Sequence, residues 1–307
     1  MKYLRYLTRG FAMGVAETVP GISSSTVALI LGIYETFLTL LYSISQVVKV
    51  TLGWGIGKYT RRDIMDALKD ISWSIGLSLL SGMIVALVLV APMLEQALQN
   101  YPQYVYATFF GFIAVSIFVP WGFIRQMSRK YYFVALLVAV ISFFGFSFSP
   151  ASIDDPQMWY VFIGGIVSIS ALIMPGVSGA FVLLTLGLYE FILSLIRQIV
   201  QGNFEVILPL LVFGSGVMVG FVIFVRILKY VLRVYHDILM AGLTGILAGS
   251  LRIMWPFFRG GLEDQQYVSL TDFSVSEIGV LIFWMISGGI LVWALQKYGQ
   301  KSGEEDV

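Results

Sequence analysis

The segment Pro20–Glu35, PGISSSTVALILGIYE, recurs as Pro175–Glu190, PGVSGAFVLLTLGLYE, and this repetition decides the fold. The two copies align without a gap at an offset of 155 residues, and nine of the sixteen positions are identical. Further matches follow at an offset of 134 residues, such as Gly82 with Gly216 and Trp121 with Trp255. Self-similarity at fixed offsets indicates an internal duplication, with halves at 1–153 and 154–307.

The composition places this duplicated chain in a membrane. Of its 307 residues, 58% are hydrophobic and 12% charged, whereas a soluble domain is about 25% charged. The chain has no cysteine and a single histidine, which excludes disulfides, cysteine zinc sites and multi-histidine metal sites. The net charge of +1 gives no argument for nucleic acid as a partner. We therefore expect a lipid bilayer as solvent, no metal and no cofactor.

The spacing of charge-free runs predicts the fold class. A membrane-spanning helix needs roughly 20 mostly apolar residues. Spans are predicted at about 71–94, 103–124, 131–150, 206–228, 237–258 and 276–296. From Pro20 to Leu31 only about 16 Å of helix can form, half of a hydrocarbon core. We therefore predict an all-α polytopic membrane protein of two repeats, each with a re-entrant broken-helix hairpin (about 4–48 and about 158–200) and three transmembrane helices.

The basic residues predict how the two halves are oriented. Sixteen of the nineteen Lys and Arg residues fall in five clusters, at residues 2–9, 49–69, 125–130, 226–233 and 297–301. Basic residues mark cytoplasmic loops, so these five regions are predicted to be cytoplasmic. Three spans per half is an odd number, so the second half should be inverted relative to the first. Inverted repeats with broken helices are typical of secondary transporters.

The hairpins are the candidate binding site. Free backbone N–H groups at two opposed helix starts, with nearby hydroxyls, favour an anion, and glycines allow a ligand to approach the backbone. The predicted phosphate-binding residues are Pro20, Gly21, Ser23, Ser24, Ser25, Thr26, Pro175, Gly176, Ser178 and Gly179. The alternative is that the Pro-Gly pairs only kink spanning helices and the small residues only pack.

A second set of residues is predicted to act in coupling or gating, because a carboxylate at membrane depth is costly. Its members are Glu17, Glu35, Glu190, Arg197, Tyr34 and Tyr189. Glu17 has no acidic counterpart, since Leu172 takes its place in the second half. Helix capping by Glu35 and Glu190, and an interfacial role for Arg197, are the alternatives. His236 is predicted to be a solvated loop residue.

These motifs resemble the polyprenyl-phosphate transporter family, whose members carry a V-P-G-[IV]-S-G-G-T-like signature followed by L-G-I-Y-E, and a second P-G-[IV]-S-G copy followed by L-G-L-Y. Val19–Thr26 and Pro175–Gly179 match, although Ser24 and Ser25 replace the usual glycine pair. The resemblance implies a multi-pass protein of the bacterial cytoplasmic (inner) membrane. Its implied substrate is undecaprenyl phosphate, a polyprenyl-phosphate lipid returned from the outer to the inner leaflet for envelope polysaccharide synthesis. Nothing in the sequence sets an oligomeric state.

The same motifs also look like those of the undecaprenyl-pyrophosphate phosphatases, which carry E-F-L-P-V-S-S-x-x-H and P-G-x-S-R-S. Glu17–Ser24 parallels the first, but its histidine is absent, and Gly179 replaces the arginine of the second. Pyrophosphate hydrolysis needs a base or nucleophile and cationic stabilisation. The sequence therefore favours a transporter over an enzyme, with a phosphatase-like enzyme and an ion-coupled symporter of a soluble anion as alternatives.

Overall fold

A computed structural model describes residues 2–18, 23–146, 153, 155–259 and 266–304, and this part of the chain is predominantly helical. Its helices are α1 (Lys2–Glu17), α2 (Ser24–Ile30), α3 (Tyr34–Gly55), α4 (Arg61–Lys69), α5 (Trp73–Asn100), α6 (Pro102–Ser116), α7 (Phe118–Gly122), α8 (Arg129–Gly145), α9 (Met158–Ile173), α10 (Gly179–Thr185), α11 (Tyr189–Val200), α12 (Ile207–Val234), α13 (His236–Ser250) and α14 (Val275–Glu304). Two-residue strands β1 (Phe258–Arg259) and β2 (Gln266–Tyr267) pair antiparallel.

Several helices are long and apolar enough to cross a bilayer. In the described part of the chain they are Tyr34–Gly55, Trp73–Asn100, Pro102–Gly122, Ile207–Val234 and Val275–Gly299. A sixth crossing is possible if Gly179–Thr185 and Tyr189–Ile196, which are bent by 115° at their junction, form one broken element. The prediction of an all-α, multi-pass membrane protein is confirmed.

Some boundaries differ from the predicted ones. Helix α3 continues to Gly55 and is 22 residues long, because Lys49 stays inside the helix, with its ammonium 6.0 Å from the Tyr59 ring centre. Helix α13 ends at Ser250, before the predicted boundary at 258, and turns then lead to Pro256. Proline disfavours helical geometry in the residue before it and has no N–H to donate.

The basic clusters also differ from a simple loop assignment. Arg5 and Arg9 lie within α1, and Arg226 and Lys229 lie within α12. Arg9 is only 2% exposed and Arg226 is partly buried, so basic residues lie within these helices and do not end them. The clusters therefore mark the ends of helices as much as the loops between them.

The helices pair in the same way in both halves. Helix α1 packs along α5 and α9 along α12, while α6 packs along α14 and α13 along α8. A Cβ atom at Gly82 would lie 2.1 Å from the Leu7 carbonyl oxygen, and one at Gly216 would lie 2.1 Å from the Phe162 carbonyl oxygen. Glycine at these positions lets the helices approach closely. Leu7 and Phe162 are 155 residues apart, and the two glycines 134, which are the offsets of the repeat.

The helices are interrupted at equivalent points in the two hairpins. Helices α2 and α10 each have seven residues. Gly32 follows the first with φ of 69°, and Gly187 follows the second with φ of 67°. A positive φ of this size favours glycine. The next helices then begin at Tyr34 and Tyr189, so Glu35 and Glu190 both fall in a first helical turn.

Candidate functional site

The first hairpin tip is a buried cluster of hydroxyl groups at the start of α2. Pro20 and Gly21 lie outside the described residues. Ser23 caps the helix, and its Oγ accepts a hydrogen bond of 3.3 Å from the Ser25 backbone N–H. The Ser23 and Ser25 hydroxyl oxygens are 2.6 Å apart. Ser23, Ser24, Ser25 and Thr26 are all at most 4% exposed, so these four side chains are buried in this conformation.

The second hairpin tip is equally buried and is shaped by glycine. Pro175, Gly176, Ser178 and Gly179 are all buried. Gly176 has φ of 95°. A Cβ atom at Gly179 would lie 2.8 Å from the Ser168 carbonyl oxygen, and the Ser168 hydroxyl donates to the Gly179 carbonyl at 3.2 Å. The backbone of α10 therefore sits directly against α9, and only glycine fits at 179.

The two tips meet through hydrogen bonds from the first hairpin to the backbone of the second. The Ser23 and Ser25 hydroxyls donate to the Leu172 carbonyl oxygen at 3.0 and 3.2 Å. The Gly176 N–H donates to Thr26 Oγ1 at 2.9 Å. The Tyr34 hydroxyl donates to the Ile173 carbonyl oxygen at 3.3 Å. These contacts bring residues from both predicted phosphate-binding segments together, but they engage Ser23, Ser25 and Thr26 with protein groups.

Glu17 has a defined position beside this cluster. Its Oε1 accepts a hydrogen bond of 2.8 Å from the Ser24 backbone N–H. The carboxylate thus lies where the first turn of α2 would receive an anion. Leu172, the counterpart of Glu17 in the second half, contributes its backbone carbonyl to the contact between the tips.

A cavity of about 630 Å³ adjoins the Glu17 and Ser24 end of the first tip. It lies among α1, α3, α5, α9 and α12 and is lined mainly by apolar groups. The lining residues are Glu17, Ser24, Phe37, Leu40, Leu41, Ile44, Ile71, Trp73, Gly76, Leu77, Leu79, Leu80, Met83, Leu87, Ile169, Leu172, Ile173 and Phe221. Leu77 and Leu80 are 55% and 53% exposed, so this wall of the cavity also borders the outer, lipid-facing surface.

The other predicted gating residues fall outside the contacts between the tips. Glu35 is exposed and lines a separate cavity of about 320 Å³ with Asp70. Glu190 is exposed, and Tyr189 is partly buried at the start of α11. The side chain of Arg197 lies outside the described residues. Within the described ranges, no group of three or more His, Cys, Asp or Glu side chains is placed to hold a metal ion.

His236 corrects one prediction. It is the first residue of α13, its side chain is only 14% exposed, and its Nδ1 lies 3.1 Å from Asp237 Oδ1. It also lines a cavity of about 250 Å³ with Tyr34 and Glu35. It is therefore a partly buried helix-start residue, because the helix begins immediately after Tyr235 without the longer loop that the basic cluster suggested.

Two features of this region were missed by the sequence reasoning. The Leu172 carbonyl is a backbone group, and no side-chain pattern marks it. Arg226 was grouped with a cytoplasmic loop, but it lies inside α12, and its Nε and Nη2 are buried without a hydrogen-bond partner among the described residues. The signal that could have identified it is that apolar residues resume directly after Arg226, at Ile227 and Leu228.

A substitution at Thr26 tests the contact between the tips. Thr26→Val should lower the free energy of unfolding by about 1 to 3 kcal/mol, because the buried Gly176 N–H loses its acceptor. Thr185→Val is the matched control, since the Thr185 hydroxyl bonds only to the carbonyl of its own helix at Val182. Thermal unfolding in one detergent measures both variants. Equal unfolding temperatures for the two variants would show that this hydrogen bond does not hold the tips together.

Comparison with known proteins adds to this geometry. A family model described as undecaprenyl phosphate translocase-like matches residues 13–269. A polyprenyl-phosphate transporter of Vibrio cholerae is 29% identical over 321 aligned residues, which cover 98% of each chain. A polyprenyl-phosphate transporter of Staphylococcus aureus is 35% identical over 95 residues, or 31% of this chain and 34% of the relative. No solved structure matches the chain. Since the family model covers most of the sequence, including both repeated Pro-Gly segments, the chain belongs to the undecaprenyl phosphate translocase-like family.

Proposed function

We propose that this protein translocates undecaprenyl phosphate across the bacterial cytoplasmic membrane, from the outer to the inner leaflet, and so returns the carrier for envelope polysaccharide synthesis. The observation that carries the proposal is the cavity of about 630 Å³, whose lining is mainly apolar and includes the polar residues Glu17 and Ser24. Its size lies within the usual range for a ligand site. An amphiphile with a long apolar chain and one polar end matches this distribution of groups.

The wall of the cavity favours a lipid over a soluble anion. A phosphate cannot cross hydrocarbon unaided, whereas a prenyl chain is soluble in hydrocarbon. Leu77 and Leu80 belong both to the cavity wall and to the exposed surface of α5. A lipid can therefore keep its tail among apolar side chains while its headgroup reaches the polar tip. The membership of the family and the names of the two relatives support the same substrate class.

Glu17 suggests how the site is kept closed between cycles. Its carboxylate accepts from the Ser24 N–H at 2.8 Å and so acts as an internal anion at the start of α2. An incoming phosphate carries like charge and competes for the same donor. We propose that the headgroup displaces Glu17 and separates the tips, which frees the hydroxyls of Ser23, Ser25 and Thr26 to bond to phosphate. Glu17 then returns as the headgroup leaves.

We also propose that the two halves are inverted in the membrane. The close crossings at Gly82 and Leu7 and at Gly216 and Phe162 support the same packing unit in each half. Helix α6 of the first half packs on α14 of the second, and α8 of the first half packs on α13 of the second. This reciprocal pairing supports a two-fold axis between the halves. Each tip then serves one face of the membrane. Glu35, Glu190 and Tyr189, which lie away from the contact between the tips, remain proposed gating residues, as does Arg197.

Glu17→Gln separates binding from transport. The amide oxygen can still accept from the Ser24 N–H but no longer repels a phosphate, so the affinity for undecaprenyl phosphate should be unchanged or higher. Transport should slow by about tenfold, because release then lacks a competing charge. Glu17→Ala removes the acceptor altogether and should also destabilise the fold. Loss of undecaprenyl phosphate binding in Glu17→Gln would contradict this role.

Transport and hydrolysis are distinguished by a chemical assay. A phosphatase arginine at position 179 has no room, because even a Cβ atom there would lie 2.8 Å from the Ser168 carbonyl oxygen. Purified protein should bind undecaprenyl phosphate and should release no inorganic phosphate from undecaprenyl pyrophosphate. Phosphate release above the level of a Glu17→Ala, Ser23→Ala double variant would contradict the proposal.

A further inference from the structure

Arg226 is a partly buried arginine inside the candidate membrane-spanning helix α12, and two of its three guanidinium nitrogens have no protein partner among the described residues. Its Nε and Nη2 are buried and make no hydrogen bond there. Burying arginine N–H groups without hydrogen bonds costs free energy. An ionisable residue within a membrane span is also a candidate functional residue. The cost of burying this group is therefore better explained by a ligand than by the fold.

The depth of Arg226 restricts what that ligand can be. Helix α12 has 28 residues, or about 42 Å, which is close to the full thickness of a bilayer with its headgroups. Arg226 lies eight residues before the end of the helix at Val234, or about 12 Å along its axis. The headgroup layer is only about 5 to 8 Å deep on each side. If α12 is centred in the bilayer and parallel to its normal, the backbone of Arg226 lies deeper than the layer of resident phospholipid headgroups, whereas a translocated headgroup has to pass that depth.

The surroundings of Arg226 fit a lipid phosphate. Lys229 and Arg233 follow at helical spacing on the same side of α12, toward its end. The Lys229 ammonium lies 4.1 Å from the centre of the Tyr42 ring on α3. Next to this basic side, Ile227 and Tyr230 are 52% and 59% exposed. A phosphate can thus contact the cations while its apolar chain lies on the adjacent lipid-facing surface.

We propose that Arg226, continued by Lys229 and Arg233, forms a second headgroup site that receives the lipid phosphate between the hairpin tips and the cytoplasmic surface. A guanidinium suits this role because its fork can bond to two phosphate oxygens. The position equivalent to Arg226 in the first half, at the repeat offset of 134 residues, is Pro92. The site is therefore present in one half only, so it binds the headgroup on one side of the hairpin tips and favours its movement toward that leaflet. This inference rests on the proposed function and adds a binding residue to it.

Equilibrium binding in phosphatidylcholine nanodiscs tests the site. Undecaprenyl phosphate, undecaprenol, phosphatidylglycerol and inorganic phosphate are titrated against the wild type, Arg226→Gln, Arg226→Lys and the control Arg62→Gln, which changes an exposed arginine on α4, outside the proposed site. Arg226→Gln should weaken undecaprenyl phosphate binding by about tenfold or more. Arg226→Lys should weaken this binding less, and Arg62→Gln should change it less than about twofold. Undecaprenol binding should not change.

Thermal unfolding of the same variants separates a ligand-binding role from a structural one. Since Nε and Nη2 of Arg226 have no protein partner in the described part of the chain, Arg226→Gln should unfold at the wild-type temperature or above it. A lower unfolding temperature, unchanged undecaprenyl phosphate affinity, or an equal loss of phosphatidylglycerol or inorganic phosphate binding would each overturn the inference. Failure of the wild type itself to bind undecaprenyl phosphate would instead overturn the proposed function.

Discussion

Gly216→Ala should lower the free energy of unfolding by about 3 kcal/mol or more, at the upper end of what overpacking costs. The new Cβ atom would lie 2.1 Å from the Phe162 carbonyl oxygen. Backbone atoms cannot move aside as a flexible side chain can, so α9 and α12 have to separate along their shared length. Thermal unfolding and size-exclusion chromatography in one detergent measure the effect.

The neighbouring glycine is the control for this prediction. A Cβ atom at Gly214, on the same helix, meets nothing within 4 Å, so Gly214→Ala should be neutral or slightly stabilising, since alanine is the better helix former. Gly82→Ala should reproduce the loss seen with Gly216→Ala, because its Cβ atom would lie 2.1 Å from the Leu7 carbonyl oxygen. Equal stability of the variants at 214 and 216 would contradict the close crossing. A neutral Gly82→Ala would contradict the common packing of the two halves.

Gly76→Trp should reduce undecaprenyl phosphate transport by about tenfold or more while the fold is kept. Gly76 lies on α5 at the wall of the cavity of about 630 Å³. A Cβ atom there points at the Leu40 side chain, 3.3 Å away, so an indole would extend across the cavity toward α3. Close-packed side chains leave little room for a second large group, and the prenyl chain would lose its place.

Gly279→Trp is the matched control for the filled cavity. Gly279 lies on α14, where a Cβ atom meets nothing within 4 Å, so the same bulk should leave transport near the wild-type rate. Normal transport by Gly76→Trp, with wild-type expression and unfolding temperature, would show that the lipid does not use this cavity. Slow transport by both variants would point to a general effect of added bulk.

The hairpins show how far a sequence can lead in this protein. The positive φ angles at Gly32 and Gly187 agree with the repeated G-x-Y-E motif. A helix that ends near a glycine and is followed by a new helix two residues later can be recognised from such a short sequence motif. Glu35 and Glu190 fall in first helical turns for the same reason. The membrane class follows from composition, since charge and apolar surface are summed properties of the whole chain.

The contact between the tips could not be predicted in the same way. It depends on the carbonyl oxygens of Leu172 and Ile173, and backbone acceptors have no sequence signature. The role of Glu17 depends on one hydrogen bond to Ser24, which a sequence-based reading of membrane carboxylates does not specify. The burial of Arg226 depends on the length of α12, which continues to Val234 although its apolar run ends at Val225.

The central claim is that the chain moves a polyprenyl phosphate between leaflets, and reconstitution measures this directly. Proteoliposomes loaded with undecaprenyl phosphate are treated with a membrane-impermeant reagent that reports phosphate in the outer leaflet only. With wild-type protein, the pool in the inner leaflet should become accessible at a rate that scales with the number of protein copies, and Gly76→Trp should return the rate toward that of empty vesicles. An inner-leaflet pool that stays protected in the presence of folded wild-type protein would contradict the account.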